Sequence, residues 1–363
     1  MAFRRSTGGP RTPRPGNAPA PRSETRYLAP MPRHPATRPT GVRAPARIAR
    51  TLLAALNGVV GDHLHRRGNG LATEFALVHR DVPLSLEREA LGEALGAAGG
   101  RWAVWVHGLC VDDGVWSPAG DVSRSFPARL EREFGYVPLL LRYNSGRHVS
   151  ENGELLADLL ERLVEAAPAP VEELLLVGYS MGGLVIRSAC HAGVAAGRRW
   201  PGLVRQAVYL GVPHRGTHYE RLGRAAAWTL RTLPNPITRL VASIGDLRSA
   251  GIQDLGHGRL LRGHWEGADP AAPFHARPDP LPLLPGIRHG LIAGSLGADE
   301  RRFLTALFGD GMVPLASACA GLHRATESER GRLRIVPGVG HVALPYHPEV
   351  WDQLRAWCAE EAR

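Results

Sequence analysis

The chain has 363 residues and an ordinary globular composition, with 44% hydrophobic and 21% charged residues. Its net charge of +10 does not indicate a nucleic-acid-binding domain, because residues 1–50 carry 11 arginines against the single acid Glu24 and the remainder is neutral. No apolar run is long enough to span a bilayer, and the four cysteines show neither zinc-site spacing nor a disulfide framework. We therefore expect a cytoplasmic protein without a metal or other cofactor.

Residues 1–45 are rich in proline and arginine and nearly lack large apolar side chains, which predicts a disordered extension. Such a tail could contact RNA or an anionic membrane, but it has no interleaved aromatic residues for base stacking, and a solvated extension is favoured. Residues 46–100 are predicted to hold an N-terminal helix and flanking strands. The apolar stretch 48–61 is short and contains Arg50, so it favours an amphipathic helix over a late signal anchor.

Six apolar segments then predict strands, at residues 101–107, 137–144, 172–179, 204–210, 287–294 and 333–336. Residues 151–166 carry leucines at helical spacing, which predicts a helix over this segment. Continuously apolar strands that alternate with helices predict a mostly parallel sheet covered by helices on both faces, here over residues 101–363. About seventy residues separate the fourth and fifth strands, and this length predicts a lid over residues 215–285.

The third strand runs into a G-x-S-x-G sequence with Ser180 at its centre. A strand that turns into a helix within one residue brings the backbone close together, and Gly178 and Gly182 avoid the clash that a Cβ would cause. The alternative is a glycine-rich turn with an idle serine. The strand before the motif and the helix-compatible segment after it favour a nucleophile.

A serine nucleophile needs a base, a carboxylate that orients the base, and donors for the oxyanion. Asp310 lies in a Gly-Asp-Gly turn after the fifth strand, and His341 follows a glycine after the sixth. Because ligands of open α/β sheets bind at the carboxyl ends of the strands, the polar residues that follow strands should share one edge. These residues are His107, Ser180, His214, Asp310 and His341.

Some alternatives remain at this stage. His347 is a second candidate base, although prolines flank it, and Asp299, Asp246 and Asp254 are alternative acids. His214 and Thr217 are expected to shape the pocket floor, and Met181 and Cys110 to line the pocket. His63 and His65 are too isolated to make a metal site.

The chain resembles the α/β-hydrolase superfamily in its lipase and esterase branch, and is similar to bacterial lipases and to GPI-inositol-deacylase-like hydrolases. The matching segments are residues 106–109, 178–183, 211–217, 309–314 and 340–341. The resemblance implies the α/β-hydrolase fold with a helical lid insertion. It implies Ser180 as nucleophile, His341 as base and Asp310 as acid, with the backbone N–H groups of Leu109 and Met181 as the oxyanion hole.

The function expected from this resemblance is hydrolysis of carboxylic esters through an acyl-enzyme. The apolar lid segment favours an apolar or lipid-like acyl group, and Trp116, Tyr143 and Tyr179 are candidate substrate contacts. The expected partners are a small-molecule or lipid ester and, peripherally, a membrane surface, but no nucleic acid. Alternatives are a thioesterase or acyltransferase on the same triad, or a catalytically silent binding protein, against which the presence of all three triad residues argues.

Overall fold

A computed structural model describes residues 44–95, 99–117, 121–217, 249–266, 281–297, 309–320 and 332–361. These residues all belong to one compact unit, Pro39–Arg363. The predictions of a disordered extension over residues 1–45 and of a lid over residues 215–285 fall mostly outside the described residues, as do Asp246 and Asp299.

Strands and helices alternate along the described chain. The strands are β1 (Ala76–His79), β2 (Val82–Pro83), β3 (Arg101–Val106), β4 (Val137–Arg142), β5 (Glu173–Tyr179), β6 (Val204–Leu210), β7 (Arg288–Ser295) and β8 (Leu333–Pro337). The helices are α1 (Ala44–Arg66), α2 (Arg88–Leu95), α3 (Phe126–Phe134), α4 (Val149–Ala166), α5 (Met181–Ala195), α6 (Ala250–His257), α7 (Leu315–Ala318) and α8 (Pro348–Glu361).

The strands form a single sheet in the order β2-β1-β4-β3-β5-β6-β7-β8. Strand β1 runs antiparallel to both of its neighbours, and the pairings from β4 to β8 are all parallel. In the central register Gly178 of β5 lies between Val106 of β3 and Tyr209 of β6, so these three strands end together. The predicted mostly parallel sheet is confirmed, and the predicted strands agree closely with the observed ones.

Strands β3 to β7 are buried on both faces of the sheet, and their successive residues point to opposite sides. Val104 and Leu176 pack into a core with α4 and α5, whereas their neighbours Trp105 and Val177 pack into a second core with α3 and α8. Burial on both sides explains why these strands read as continuous apolar runs. The two cores also hold most of the tryptophans. Of the seven tryptophans in the described segments six are buried, namely Trp102, Trp105, Trp116, Trp200, Trp351 and Trp357.

The N-terminal helix α1 packs on the loops that follow β3 and β4. Its apolar side gathers Leu56, Val59, Val60 and Leu64 into a small cluster of their own. Asn144 Nδ2 donates to the carbonyl oxygen of Gly61 at 2.8 Å, and Arg50 Nε lies 3.0 Å from Asp112 Oδ2. None of the helices in the described ranges combines the length and the apolar character that crossing a bilayer requires.

Helix α6 is the described helix of the predicted lid segment, and it is joined to the body of the fold. Ser249, at its N-cap, donates from Oγ to the carbonyl oxygen of Gly58 at 2.7 Å. Asp254 is fully buried, and its Oδ2 accepts hydrogen bonds from His148 Nδ1 at 3.0 Å and from the Val149 N–H at 2.9 Å. This helix is therefore fixed between α1 and the start of α4.

Candidate active site

Ser180 occupies a strained turn between β5 and α5. Its backbone has φ 52° and ψ −125°, a region that non-glycine residues rarely adopt. A Cβ on Gly178 would lie 2.5 Å from Gly183 Cα, and one on Gly182 would overlap the carbonyl oxygens of Val106 and His107. The two glycines therefore permit the close approach that lifts Ser180 above the end of the sheet.

Asp310 and His341 form a buried pair. His341 Nδ1 lies 2.6 Å from Asp310 Oδ2, and the other carboxylate oxygen accepts from the backbone N–H groups of Met312 at 3.0 Å and Val313 at 2.8 Å. The side chains are 4% and 1% exposed, so water does not compete for this contact. With Nδ1–H donated to the carboxylate, Nε2 of His341 is left as the ring's proton acceptor.

Ser180 and His341 border the same short stretch of chain after β6. The Ser180 N–H donates to the Leu210 carbonyl at 2.9 Å. A Cβ built on the next residue, Gly211, would lie 3.1 Å from both Nδ1 and Cε1 of His341. The structure thus brings the predicted nucleophile, base and acid to one edge of the sheet.

The two amides expected to bind an oxyanion lie on rigid supports. Met181 is the first residue of α5, where unpaired N–H groups and the helix dipole favour negative charge. Leu109 follows β3 in a loop whose first residue, His107, is held in place. Tyr143 donates from its hydroxyl to the His107 carbonyl at 2.8 Å and stacks on the His107 ring. Burial lowers the pKa of His107, which favours a neutral ring in this role.

The three aromatic residues expected to contact substrate are all buried. Trp116 packs edge-on against Trp105 at 5.0 Å, and Tyr179 donates from its hydroxyl to the His341 carbonyl at 3.2 Å. Burial raises the pKa values of Tyr143 and Tyr179. In this structure the three residues support the site through the core, and direct contact with a substrate stays a prediction.

The alternative candidates lie in other arrangements. Asp254 is bonded to His148, as described above, and His347 is half-buried at the end of the 3₁₀ turn His341–Tyr346. Thr217 donates from Oγ1 to the carbonyl oxygen of Met312 at 2.7 Å, next to the acid loop. Within the described ranges, no group of three or more His, Cys, Asp and Glu side chains could hold a metal ion.

Two features were not predicted from the sequence. Arg187 on α5 is buried and donates from Nη1 to His214 Nδ1 at 3.1 Å. Its sequence signal is a single cation in an otherwise apolar helix. The second feature is an exposed apolar rim beside His341, formed by Leu296, Val342 and Tyr346. Exposed residues of this kind have no sequence signal, because their exposure depends on the packing of distant segments.

Comparisons with known proteins give distant likenesses. No family model matches the chain. A 2-succinyl-6-hydroxy-2,4-cyclohexadiene-1-carboxylate synthase of Yersinia pestis is 27% identical over 147 residues, which cover 39% of this chain and 48% of the synthase. The match thus spans about half the length of this curated relative.

Solved structures with likeness to the chain include two bacterial proteins. The mature lipase of Bacillus licheniformis is 17% identical, with 71% of this chain and 91% of the lipase covered and a TM-score of 0.43. A lipase-esterase related protein of Clostridium acetobutylicum is 13% identical, with 80% and 98% covered and a TM-score of 0.37. The likeness does not assign the activities of these proteins to this chain.

Proposed function

We propose that this chain, whose fold is that of the α/β-hydrolases, is a serine hydrolase that cleaves carboxylic esters. The observation that carries the proposal is the 2.6 Å contact between His341 Nδ1 and Asp310 Oδ2, at the edge of the sheet where Ser180 stands on its strained turn. The order Ser, Asp, His along the chain is typical of the fold. Ser180 acts as the nucleophile, His341 as the base and Asp310 as the acid that orients the base.

In the proposed reaction Ser180 Oγ attacks the acyl carbon while its proton passes to His341 Nε2. Asp310 stabilises the imidazolium that forms, and the N–H groups of Leu109 and Met181 bind the oxyanion. The ester C–O bond then breaks, and the alcohol leaves with the proton from His341. Water attacks the acyl-enzyme by the same route, which releases the acid and restores Ser180.

The substrate is proposed to carry an apolar acyl group. Val342 is 67% exposed and Leu296 is 58% exposed, and Val342 directly follows His341. Leu296 lies against Gly311 and Gly340, the glycines that flank Asp310 and His341. An acyl chain that covers this rim would remove apolar surface from water close to the reacting carbon.

The proposed binding partners follow from the proposed ester hydrolysis. The proposal involves an ester substrate and, at the apolar rim, peripheral contact with a lipid surface, but no nucleic acid. A cytoplasmic location is also proposed. It is supported by the cysteines, since all four lie in described segments and none forms a disulfide.

The first test is labelling with a fluorophosphonate, read by intact mass. The native chain is expected to gain one adduct, because an activated serine attacks phosphorus. Ser180→Ala should gain none, and Ser123→Ala, at an exposed serine outside the site, should label like the native chain. Absence of an adduct on the native chain, with detergent present, would refute the activated serine.

The second test is an ester panel that varies the acyl chain from acetyl to dodecanoyl. The native chain should prefer the longer acyl groups, and Leu296→Ser should raise KM for long chains by about tenfold while short esters change little. The curated relatives are named synthases, so a non-hydrolytic reaction on the same residues is the alternative. An enzyme that labels at Ser180 but turns over no ester or thioester would favour that alternative.

A further inference from the structure

A cavity of about 560 Å³ lies between α5, the loop after β6 and the first residues of β7. One wall is apolar and is formed by residues 281–285 and Ile287. The lining also includes four cations, Arg187, Arg215, Arg288 and Arg332. No aspartate or glutamate is among the described residues that line the cavity.

Arg187 is the most buried of these cations, at 5% exposed. Its Nη1 donates to His214 Nδ1, its Nη2 donates to the Leu281 carbonyl, and its Nε has no partner. Among the described residues no carboxylate pairs with Arg187, and burial lowers the pKa of the guanidinium. A buried charge without a counter-charge is costly, so this position favours an anion that arrives from outside the chain.

Neighbouring groups add donors that lack acceptors. Because His214 Nδ1 accepts from Arg187, its Nε2 carries the ring proton, and this buried atom has no partner. Burial and the charge of Arg187 hold the pKa of His214 well below its usual value, so the ring is neutral. Nη1 of Arg332 is buried and has no partner either, although Nη2 of the same side chain lies 3.6 Å from Glu360 Oε2. Buried donors without acceptors, set beside the unpaired charge of Arg187, are what a carboxylate ligand requires.

We propose that this cavity is a second ligand site that binds a carboxylate with an apolar body. The carboxylate lies at the end formed by Arg187 and Arg332, and the apolar body lies along residues 281–287. The volume is within the range of about 300–1,000 Å³ that small-molecule sites occupy. A carboxylic acid is also what ester hydrolysis releases, but the binding inferred here does not depend on that reaction.

The test is calorimetric titration of the full chain carrying Ser180→Ala with sodium decanoate, below its micelle concentration. Decanoate should bind at one site. Arg332→Gln should weaken binding by about tenfold, the loss expected for one charge-assisted hydrogen bond. Arg334→Gln is the matched control, because Arg334 lies two residues further along β8, is exposed and does not line the cavity. Its affinity for decanoate should be unchanged.

Three results would overturn the proposal. Decan-1-ol binding as tightly as decanoate would mean that the charge is not recognised. Inorganic phosphate binding as tightly would mean that the apolar wall is not used. Unchanged affinity in both Arg332→Gln and Arg187→Met would place decanoate elsewhere, and Arg332→Gln alone decides this point if Arg187→Met does not fold. Because Ser180 is absent from the titrated chain, failure of the proposed hydrolysis would not affect the result.

Discussion

Gly211 sets how closely the His341 ring approaches the chain that follows β6. Its φ is +59°, in the left-handed region that favours glycine. A Cβ at this position would lie 3.1 Å from Nδ1 and Cε1 of His341 and 2.6 Å from Leu344 Cδ1. Since Nδ1 is the atom bonded to Asp310, a side chain at position 211 would press on the hydrogen bond that orients the base.

We predict that Gly211→Ala lowers kcat for ester hydrolysis by roughly tenfold to a hundredfold, as expected when a base is displaced by up to about 1 Å. Gly197→Ala is the control, because Gly197 has a similar φ of +63° but nothing within 4 Å of its Cβ position. Both variants should lose about 1 kcal/mol of stability from left-handed strain, and Gly211→Ala should lose more, because its Cβ would also lie 2.6 Å from Leu344 Cδ1. Equal kcat values in the two variants would contradict the assignment of His341 as base.

The loop of residues 211–217 fastens the end of β6 to the loop that carries the acid. Thr217 Oγ1 donates to the Met312 carbonyl at 2.7 Å, and Ser317 Oγ donates to the Gly216 carbonyl at 2.7 Å. The same loop begins beside the His341 imidazole and passes the cavity that Arg187 lines. One element therefore joins His341, the Asp310 loop and the proposed second ligand site.

Replacing Thr217 tests this connection. Thr217→Val keeps the shape of the side chain but leaves the Met312 carbonyl without its donor, so it should cost about 1 kcal/mol of unfolding free energy. We expect kcat to fall with KM nearly unchanged, because the acid loop is loosened while the substrate surface is intact. Thr217→Ser should restore both quantities. A normal kcat in Thr217→Val would show that the acid keeps its position without this bond.

The fold could be predicted from the sequence wherever a strand is buried on both faces of the sheet. Strands β3 to β7 are buried on both faces, and the carboxyl ends of the parallel strands share an edge, so the sequence alone indicated the sheet and the side on which Ser180, Asp310 and His341 meet. The antiparallel direction of β1 was not predictable, because it depends on which strand β1 pairs with. The contact between Arg187 and His214 could not be predicted from the sequence either, since it depends on how helix α5 packs against the loop after β6.

Four histidines that are buried or half-buried affect the stability of the whole molecule. Burial is the main cause that lowers the pKa values of His79, His107, His214 and His289. In the unfolded chain each titrates near pH 6.5. Above that pH neither state binds the protons, and below it the unfolded chain binds them first. Stability should therefore fall as the pH drops below about 6.5, until the folded-state pKa values are reached.

Urea unfolding measured at pH 7, 6 and 5 tests the expected fall in stability. Each neutral buried histidine should remove up to about 1.4 kcal/mol per pH unit below pH 6.5. His79→Gln should reduce the slope, because glutamine can still donate to the Pro138 carbonyl, which lies 2.9 Å from His79 Nδ1, but takes up no proton. The same slope in His79→Gln and in the native chain would mean that His79 does not contribute.

The burial of six tryptophans has an optical consequence. Indole emission moves to longer wavelengths when the ring meets water, and these rings lie in both layers that cover the sheet. Unfolding of either layer should therefore shift the fluorescence of the chain to the red without any added dye. Trp351 and Trp357 on α8 report on one face and Trp200 on the other, so replacing one set by phenylalanine would show whether the two faces come apart together.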